Sequence, residues 1–256
     1  MEISHLVVNG CSWSSGEGLT DPKNQAWPTL LANKLGCEVV NLAVRGSSND
    51  AITRRSYEYT YENLPNNSKP LYIIVFSQVW RREAWYNKFK GQRIDDYHTI
   101  DYDRFSVFNP KSHHPHLLSI LSEFNEEDFY RRHIMNKLYL KSLLEANKLP
   151  HLLTHFPYDA IEPGTIERVQ QRFPNTFREF EKVEDFDLHR LQLADDQLPC
   201  GHPGVESQGI IAEKMYEVLT NKFGEITVLP DQQFLRLKDF KIINPEYVPS
   251  HIKVWM

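Results

Sequence analysis

Six consecutive apolar residues, Leu71-Tyr72-Ile73-Ile74-Val75-Phe76, set the strongest limit on how this chain folds. A strand that is apolar on both faces needs cover on both, as a central strand of a parallel sheet receives from crossover helices. Three further stretches supply companion strands: Leu6-Val7-Val8, Glu38 to Leu42, and Pro150 to Pro157. The segments between them carry helical signals. Gln25 to Gly36 has Pro28 suited to a first turn, Leu31 and Leu35 on one face, and Gly36 as a C-terminal stop. A helix from about Asp50 to Tyr61 takes Ser48 or Asn49 as its cap. Glu126 to Lys148 predicts a long helix with an acidic start, its apolar surface supplied by Phe129, His133, Leu138, Leu140, Leu143 and Leu144. Val205 to Phe223 presents one broad buried face through Ile210, Ile211, Met215, Val218, Leu219 and Phe223.

This alternation predicts an α/β chain: a three-layer α/β/α domain around a mostly parallel five-stranded sheet, in the flavodoxin-like order 2-1-3-4-5. The weak fifth strand is expected within the acidic, irregular segment from Tyr158 to Asp196. Residues 1–223 form the domain, with an insertion at about 85–124 and a C-terminal extension at 224–256. The apolar stretch Ile226 to Leu229 and the aromatic Tyr247 and Trp255 suit that extension to docking on the domain or on another subunit. The insertion departs from the alternation, being polar and rich in Tyr and His. Its run Lys111-Ser112-His113-His114-Pro115-His116 has no fixed carboxylate or cysteine partner, and Pro115 breaks helical ligand spacing. A solvated lid or interaction loop is expected there, with no metal and no cofactor.

Charge and cysteines narrow the partners. A formal charge of -5 gives no general pull toward nucleic acid or an anionic membrane, and neither is expected as a partner. Cys11, Cys37 and Cys200 are too scattered for a disulfide framework. Neither a basic leader with an apolar core nor an apolar run near the ~20 residues of a membrane helix is present. Reduced thiols in a cytoplasmic, soluble protein are expected.

The chemistry concentrates where strands end. Leu6-Val7-Val8 stops at Asn9-Gly10, and Cys11-Ser12 follow the turn, at the edge where open α/β sheets place their ligands. Ser12 suits a nucleophile. Ser14 and Ser15 compete for the role, and capping of a following helix accounts for all three serines equally well. A second exit, Ala43-Val44-Arg45-Gly46-Ser47-Ser48-Asn49-Asp50, is also rich in small residues, and Ser77-Gln78-Val79 leaves the central strand. His202 sits in a rigid Gly-His-Pro loop ahead of the last helix, suited to hold an imidazole against another loop.

Together these blocks resemble the SGNH hydrolases, the GDSL esterase/lipase superfamily, in the diverged form found among phage-like and bacterial proteins. The resemblance spans roughly Ser4 to Phe223. It implies Ser12 as nucleophile, with Cys11 where the family often has Asp, and the backbone amides of Ser12 and Gly46 as oxyanion donors. It also implies His202, in His202-Pro203, as the base. Two positions depart from the family. The Asn of the third block is missing, which makes Gln78 the nearest amide for the oxyanion. The Asp expected three residues before the histidine is Pro199, which leaves Asp195 or Asp196, or a backbone carbonyl, to orient the ring. An absent acid costs on the order of 10⁴ in turnover, and an absent oxyanion donor about 10²–10³.

The activity so implied is hydrolysis of an acyl ester without cofactor or metal. The aromatic, polar insertion favours a small-molecule or glycan ester, such as a carbohydrate O-acyl ester, over a long-chain lipid. A catalytically degenerate SGNH domain that binds glycan or protein, as a phage-associated accessory module, is the alternative, favoured by Pro199 and the changed third block. A flavodoxin-like nucleotide-binding domain fits less well, because the first loop has neither a dinucleotide glycine fingerprint nor a P-loop lysine.

Overall fold

The computed structural model describes residues 1–64, 68–79, 81–85, 105–108, 126–155, 164–175, 191, 193 and 196–229. In chain order the elements are β1 (Glu2–Ile3), β2 (His5–Asn9), α1 (Ser12–Ser15), α2 (Pro22–Gln25), α3 (Trp27–Leu35), β3 (Glu38–Asn41) and α4 (Asn49–Glu58). A π-helical turn, Tyr59–Asn63, continues α4. Then come β4 (Leu71–Phe76), β5 (Arg82–Trp85), β6 (Phe105–Phe108), α5 (Glu126–Ala146), β7 (His151–His155), α6 (Thr165–Arg172), α7 (Val205–Phe223) and β8 (Thr227–Val228).

The main sheet has the order β3-β2-β4-β7 with every pair parallel. In terms of the expected strands this is 2-1-3-4. The expected fifth strand falls in a segment that lies largely outside the described residues. All six residues of β4 are fully buried, as a continuous apolar run requires. Their side chains alternate between two cores. Leu71, Ile73 and Val75 pack with Trp27 and Leu31 of α3 and with Ile211, Met215 and Leu219 of α7. Tyr72, Ile74 and Phe76 pack with Ile52 of α4 and with Leu140, Leu143 and Leu144 of α5. Helices therefore cover both faces, and the chain is a three-layer α/β/α structure.

Two smaller pairings lie outside this sheet. β1 pairs in parallel with β8, and the Met1 amino group donates to the Glu225 carbonyl. The start of the C-terminal extension is thereby laid against the first residues of the domain. β5 and β6 form an antiparallel pair at the start of, and within, the insertion. The rest of the insertion, with His113, His114 and His116, and the tail beyond residue 229 lie outside the described residues. Among the described residues no helix is long and apolar enough to cross a membrane.

At the amino end of β7, the Nδ1–H of His151 donates to the Leu149 carbonyl at 2.9 Å, and burial holds its pKa below the ordinary 6.5. As pH falls below about 6.5 the unfolded chain takes up a proton that the folded ring resists, so stability is lost on acidification. His151→Gln is expected to narrow the difference in Tm between neutral and mildly acidic buffer. An unchanged difference would remove His151 from the acid sensitivity.

Candidate active site

The loops after β2, β3 and β4 open at the carboxyl edge of the sheet, and each is fixed by buried or partly buried polar contacts. Asn9, the last residue of β2, is fully buried. Its Nδ2 donates to the Ile52 carbonyl at 2.8 Å and to Ser56 Oγ at 2.9 Å, while its Oδ1 accepts from the Gly10 N–H at 2.8 Å. This clamps the turn against α4. Ser12 then opens α1, where the Cys11 carbonyl accepts from the N–H groups of Ser14 and Ser15, each at 3.0 Å. No side chain caps this turn. Among the described residues the Ser12 N–H has no acceptor.

The three serines separate here. Ser14 is fully buried, and its carbonyl accepts from Asn41 Nδ2 at 2.8 Å. Ser15 Oγ donates to the Ser12 carbonyl at 3.1 Å. Ser12, 6% exposed, makes no side-chain hydrogen bond among the described residues.

Gly46 lies in the turn closed by the Ser47 N–H on the Val44 carbonyl, at φ +70°, a left-handed conformation that a side chain would strain. Its N–H likewise has no acceptor among the described residues. Arg55 secures this loop from α4, with Nη2 on Ser47 Oγ at 2.6 Å and Nε on the Leu42 carbonyl at 3.1 Å.

Asn49 was legible from sequence only as a possible cap. Ser48 takes that role, its Oγ accepting from the Ala51 N–H at 3.2 Å. Asn49 is thereby released to reach the loop after β4. Its Oδ1 accepts from the Ser77 N–H at 2.7 Å, and its Nδ2 donates to the Ser77 carbonyl at 3.0 Å and to His133 Nδ1 at 2.9 Å. Asn49 and His133 are both buried. The structure thus places a buried amide at the third block, engaged in holding backbone. Gln78, next in the loop, is partly exposed, and its side-chain amide makes no hydrogen bond among the described residues.

His202 is held by its own loop, in which the Leu198 N–H donates to the His202 carbonyl at 2.9 Å and the Gly201 N–H to the Leu198 carbonyl at 2.8 Å. The ring's Nδ1 meets the Cys200 carbonyl at 3.1 Å. A carbonyl only accepts, so the proton sits on Nδ1, and Nε2 of the neutral ring keeps its lone pair. Asp196 does not orient the ring. Its Oδ2 accepts from the Ser207 N–H at 2.6 Å in the first turn of α7. The physical reason is that the N-cap residue, Gly204, has no side chain, and the free N–H groups of the first turn need an acceptor. Asp195 lies outside the described residues, and among those described the Cys200 carbonyl is the group that meets Nδ1 of the imidazole.

Nε2 points toward the nucleophile's loop, 3.8 Å from Glu17 Oε2, and Glu17 Oε1 lies 3.5 Å from Arg45 Nη1. The Glu17 N–H donates to the Ser12 carbonyl at 3.1 Å. Gln208 of α7 ties the same region together, its Nε2 reaching the Trp13 carbonyl at 3.4 Å and its Oε1 accepting from the Trp27 N–H at 2.8 Å. The Ser12 hydroxyl and the His202 ring make no hydrogen bond to each other. Among the described residues no three His, Cys, Asp or Glu side chains converge as a metal site would need.

The family model of DUF6071, a family of unknown function, matches residues 13–216. The chain belongs to this family. No curated protein matches the DUF6071 chain in sequence. Among solved structures it is similar to the psychrotrophic esterase EstA from a Pseudoalteromonas species, with a TM-score of 0.50 and 15% identity over 87% of this chain and 100% of that one. It is also similar to a carbohydrate esterase family 2 enzyme with a carbohydrate-binding domain from Corynascus thermopiles, with a TM-score of 0.51 and 12% identity over 87% of this chain and 67% of that one. A G-D-S-L family lipolytic protein from Desulfitobacterium hafniense aligns at 0.48, with 16% identity over 84% and 99% of the two chains. The DUF6071 chain has an SGNH hydrolase-like α/β fold, as its short blocks implied.

Proposed function

We propose that this DUF6071 protein is a serine ester hydrolase of the SGNH type, acting on an acyl ester of a small molecule or glycan. The observation that carries this reading is the state of the donors and of the ring at one sheet edge. The N–H groups of Ser12 and Gly46 have no acceptor among the described residues, and the Nε2 of His202 turns toward the loop that bears Ser12. Ser12 Oγ attacks the acyl carbon and passes its proton to Nε2, while the two amides receive the developing oxyanion. Water then releases the acyl group with the same ring as base. Apo catalytic hydrogen bonds are often long and tighten only around substrate, so an unjoined Ser12 and His202 fit this scheme. Gln78, whose side-chain amide makes no hydrogen bond among the described residues, is the side chain suited to act as a third donor or to contact substrate. The carbohydrate O-acyl ester is the favoured substrate class, in keeping with the aromatic, polar insertion and the likeness to a carbohydrate esterase fold.

A second reading is a binding module that has lost catalysis. Asp196 favours it, since the last carboxylate before the histidine in sequence is committed to capping a helix. The two readings separate with a fluorophosphonate probe followed by peptide mapping. The hydrolase reading expects one phosphonyl adduct, on Ser12. No adduct would leave the binding module, and one confined to Ser14 or Ser15 would move the nucleophile off Ser12.

A further inference from the structure

We propose that Glu17 is the carboxylate that supports His202, supplied from the nucleophile's loop where the histidine's own loop has Pro199; this rests on the serine-hydrolase reading above. Glu17 is fixed to the nucleophile turn by its N–H on the Ser12 carbonyl. Its two oxygens face different loops, Oε2 lying 3.8 Å from His202 Nε2 and Oε1 lying 3.5 Å from Nη1 of Arg45, the residue just before Gly46. One carboxylate therefore spans the loops of the nucleophile, the oxyanion donor and the base. The three side chains are 23%, 14% and 31% exposed for Glu17, His202 and Arg45, so water screens them only in part.

The groups facing the ring assign the roles. The Cys200 carbonyl meets Nδ1, Glu17 faces Nε2 with Arg45 behind it, and Asp196 is turned to Ser207. A separation of 3.8 Å is an ion-pair distance and not a hydrogen bond, so Glu17 acts through its charge. When Ser12 Oγ bonds to the acyl carbon, the carbonyl π electrons move to oxygen and the hydroxyl proton moves to Nε2. The imidazolium so formed is balanced by the Glu17 carboxylate. As the intermediate collapses, the bond to the leaving alcohol breaks and Nε2 returns its proton to that alcohol. The two duties of the usual aspartate are divided: the Cys200 carbonyl sets the tautomer, and Glu17 balances the charge. Glu17 makes no hydrogen bond to a reacting atom and exchanges no proton, so it is a positioning residue.

The test is the rate of fluorophosphonate labelling of the full chain as a function of pH. Glu17→Gln is expected to lower the plateau about tenfold and to move the acid limb to lower pH, because an imidazolium without its counter-charge forms less readily. Glu17→Asp, which keeps the charge, is expected to restore most of the plateau and to hold the limb nearer its wild-type position. If Glu17→Gln fails to fold, Glu17→Ala provides the same uncharged comparison. An unmoved acid limb in the uncharged variant overturns the assignment, as does a Glu17→Asp variant as slow as Glu17→Gln. Wild-type labelling of Ser12 that survives Glu17→Gln unchanged removes Glu17 and leaves the hydrolase standing. A wild-type protein that does not label overturns both.

Discussion

Replacing His202 with glutamine is expected to slow covalent labelling of Ser12 by about 10³–10⁴-fold. The expectation follows from the proton inventory of the ring. Nδ1–H is committed to the Cys200 carbonyl, so Nε2 holds the lone pair that can take the serine proton. A glutamine amide has no basic nitrogen and leaves the hydroxyl unactivated. The N–H groups of Ser12 and Gly46 belong to the backbone of other loops and remain in place, so reversible binding of the probe is expected to persist while the bond-forming step slows. Intact-mass kinetics at several probe concentrations separate the two quantities. A variant that labels at the wild-type rate would remove His202 as the base.

The second large effect is on stability, and it lies one residue beyond Pro203. A Cβ added at Gly204 would sit 2.2 Å from Asp196 Oδ1 and 2.4 Å from the Asp196 carbonyl oxygen. The second of these is backbone, which has no side-chain rotation to relieve the contact. That same carbonyl accepts from the Gly204 N–H at 2.7 Å, and the carboxylate accepts from Ser207. Gly204→Ala is expected to dislodge the whole arrangement and to cost about 2–4 kcal/mol, combining a lost cap with a close backbone contact. Gly209 of α7 is the control, since a Cβ there meets nothing within 4 Å. Gly209→Ala is expected to stabilise the helix by about 0.5–1 kcal/mol. Thermal unfolding of both variants measures the contrast, and equal Tm values would show that Asp196 does not brace this turn.

The sequence made the sheet legible because buried parallel strands leave a mark that depends on neighbours in the chain. Leu71 to Phe76 is apolar on both faces for the same reason that its alternate residues join two different cores. The apolar stripe of Val205 to Phe223 is equally local, and the helix occupies the expected span, with Ile211, Met215 and Leu219 buried as expected and Ile210 exposed against expectation. The two-stranded pairing of 82–85 with 105–108 left no such mark. Contacts at the site differ in kind. Glu17 and His202 meet across 185 residues, and Asn49 joins Ser77 and His133 from separate elements. Polar residues in loops have no periodicity to betray such meetings. His133 was legible only as part of a helix surface, whereas its ring accepts from a buried amide. Asp196 shows the opposite trap: closeness in sequence suggested the imidazole, but the unfilled needs of a helix terminus took the carboxylate.

Asn49 has a consequence for how this site can change. Its oxygen and both of its amide hydrogens are taken, two of the three bonds going to the main chain of Ser77. The loop after β4 is therefore framed from outside, by a residue on α4, in addition to the bond that Arg81 Nη1 donates to Ser77 Oγ at 3.1 Å within the loop. The carbonyl of Gln78 accepts from the Arg81 N–H at 3.3 Å, while its side chain makes no hydrogen bond among the described residues. A lineage that kept Asn49 would be able to exchange the side chain at 78 while the carpentry around Ser12 stayed as it was.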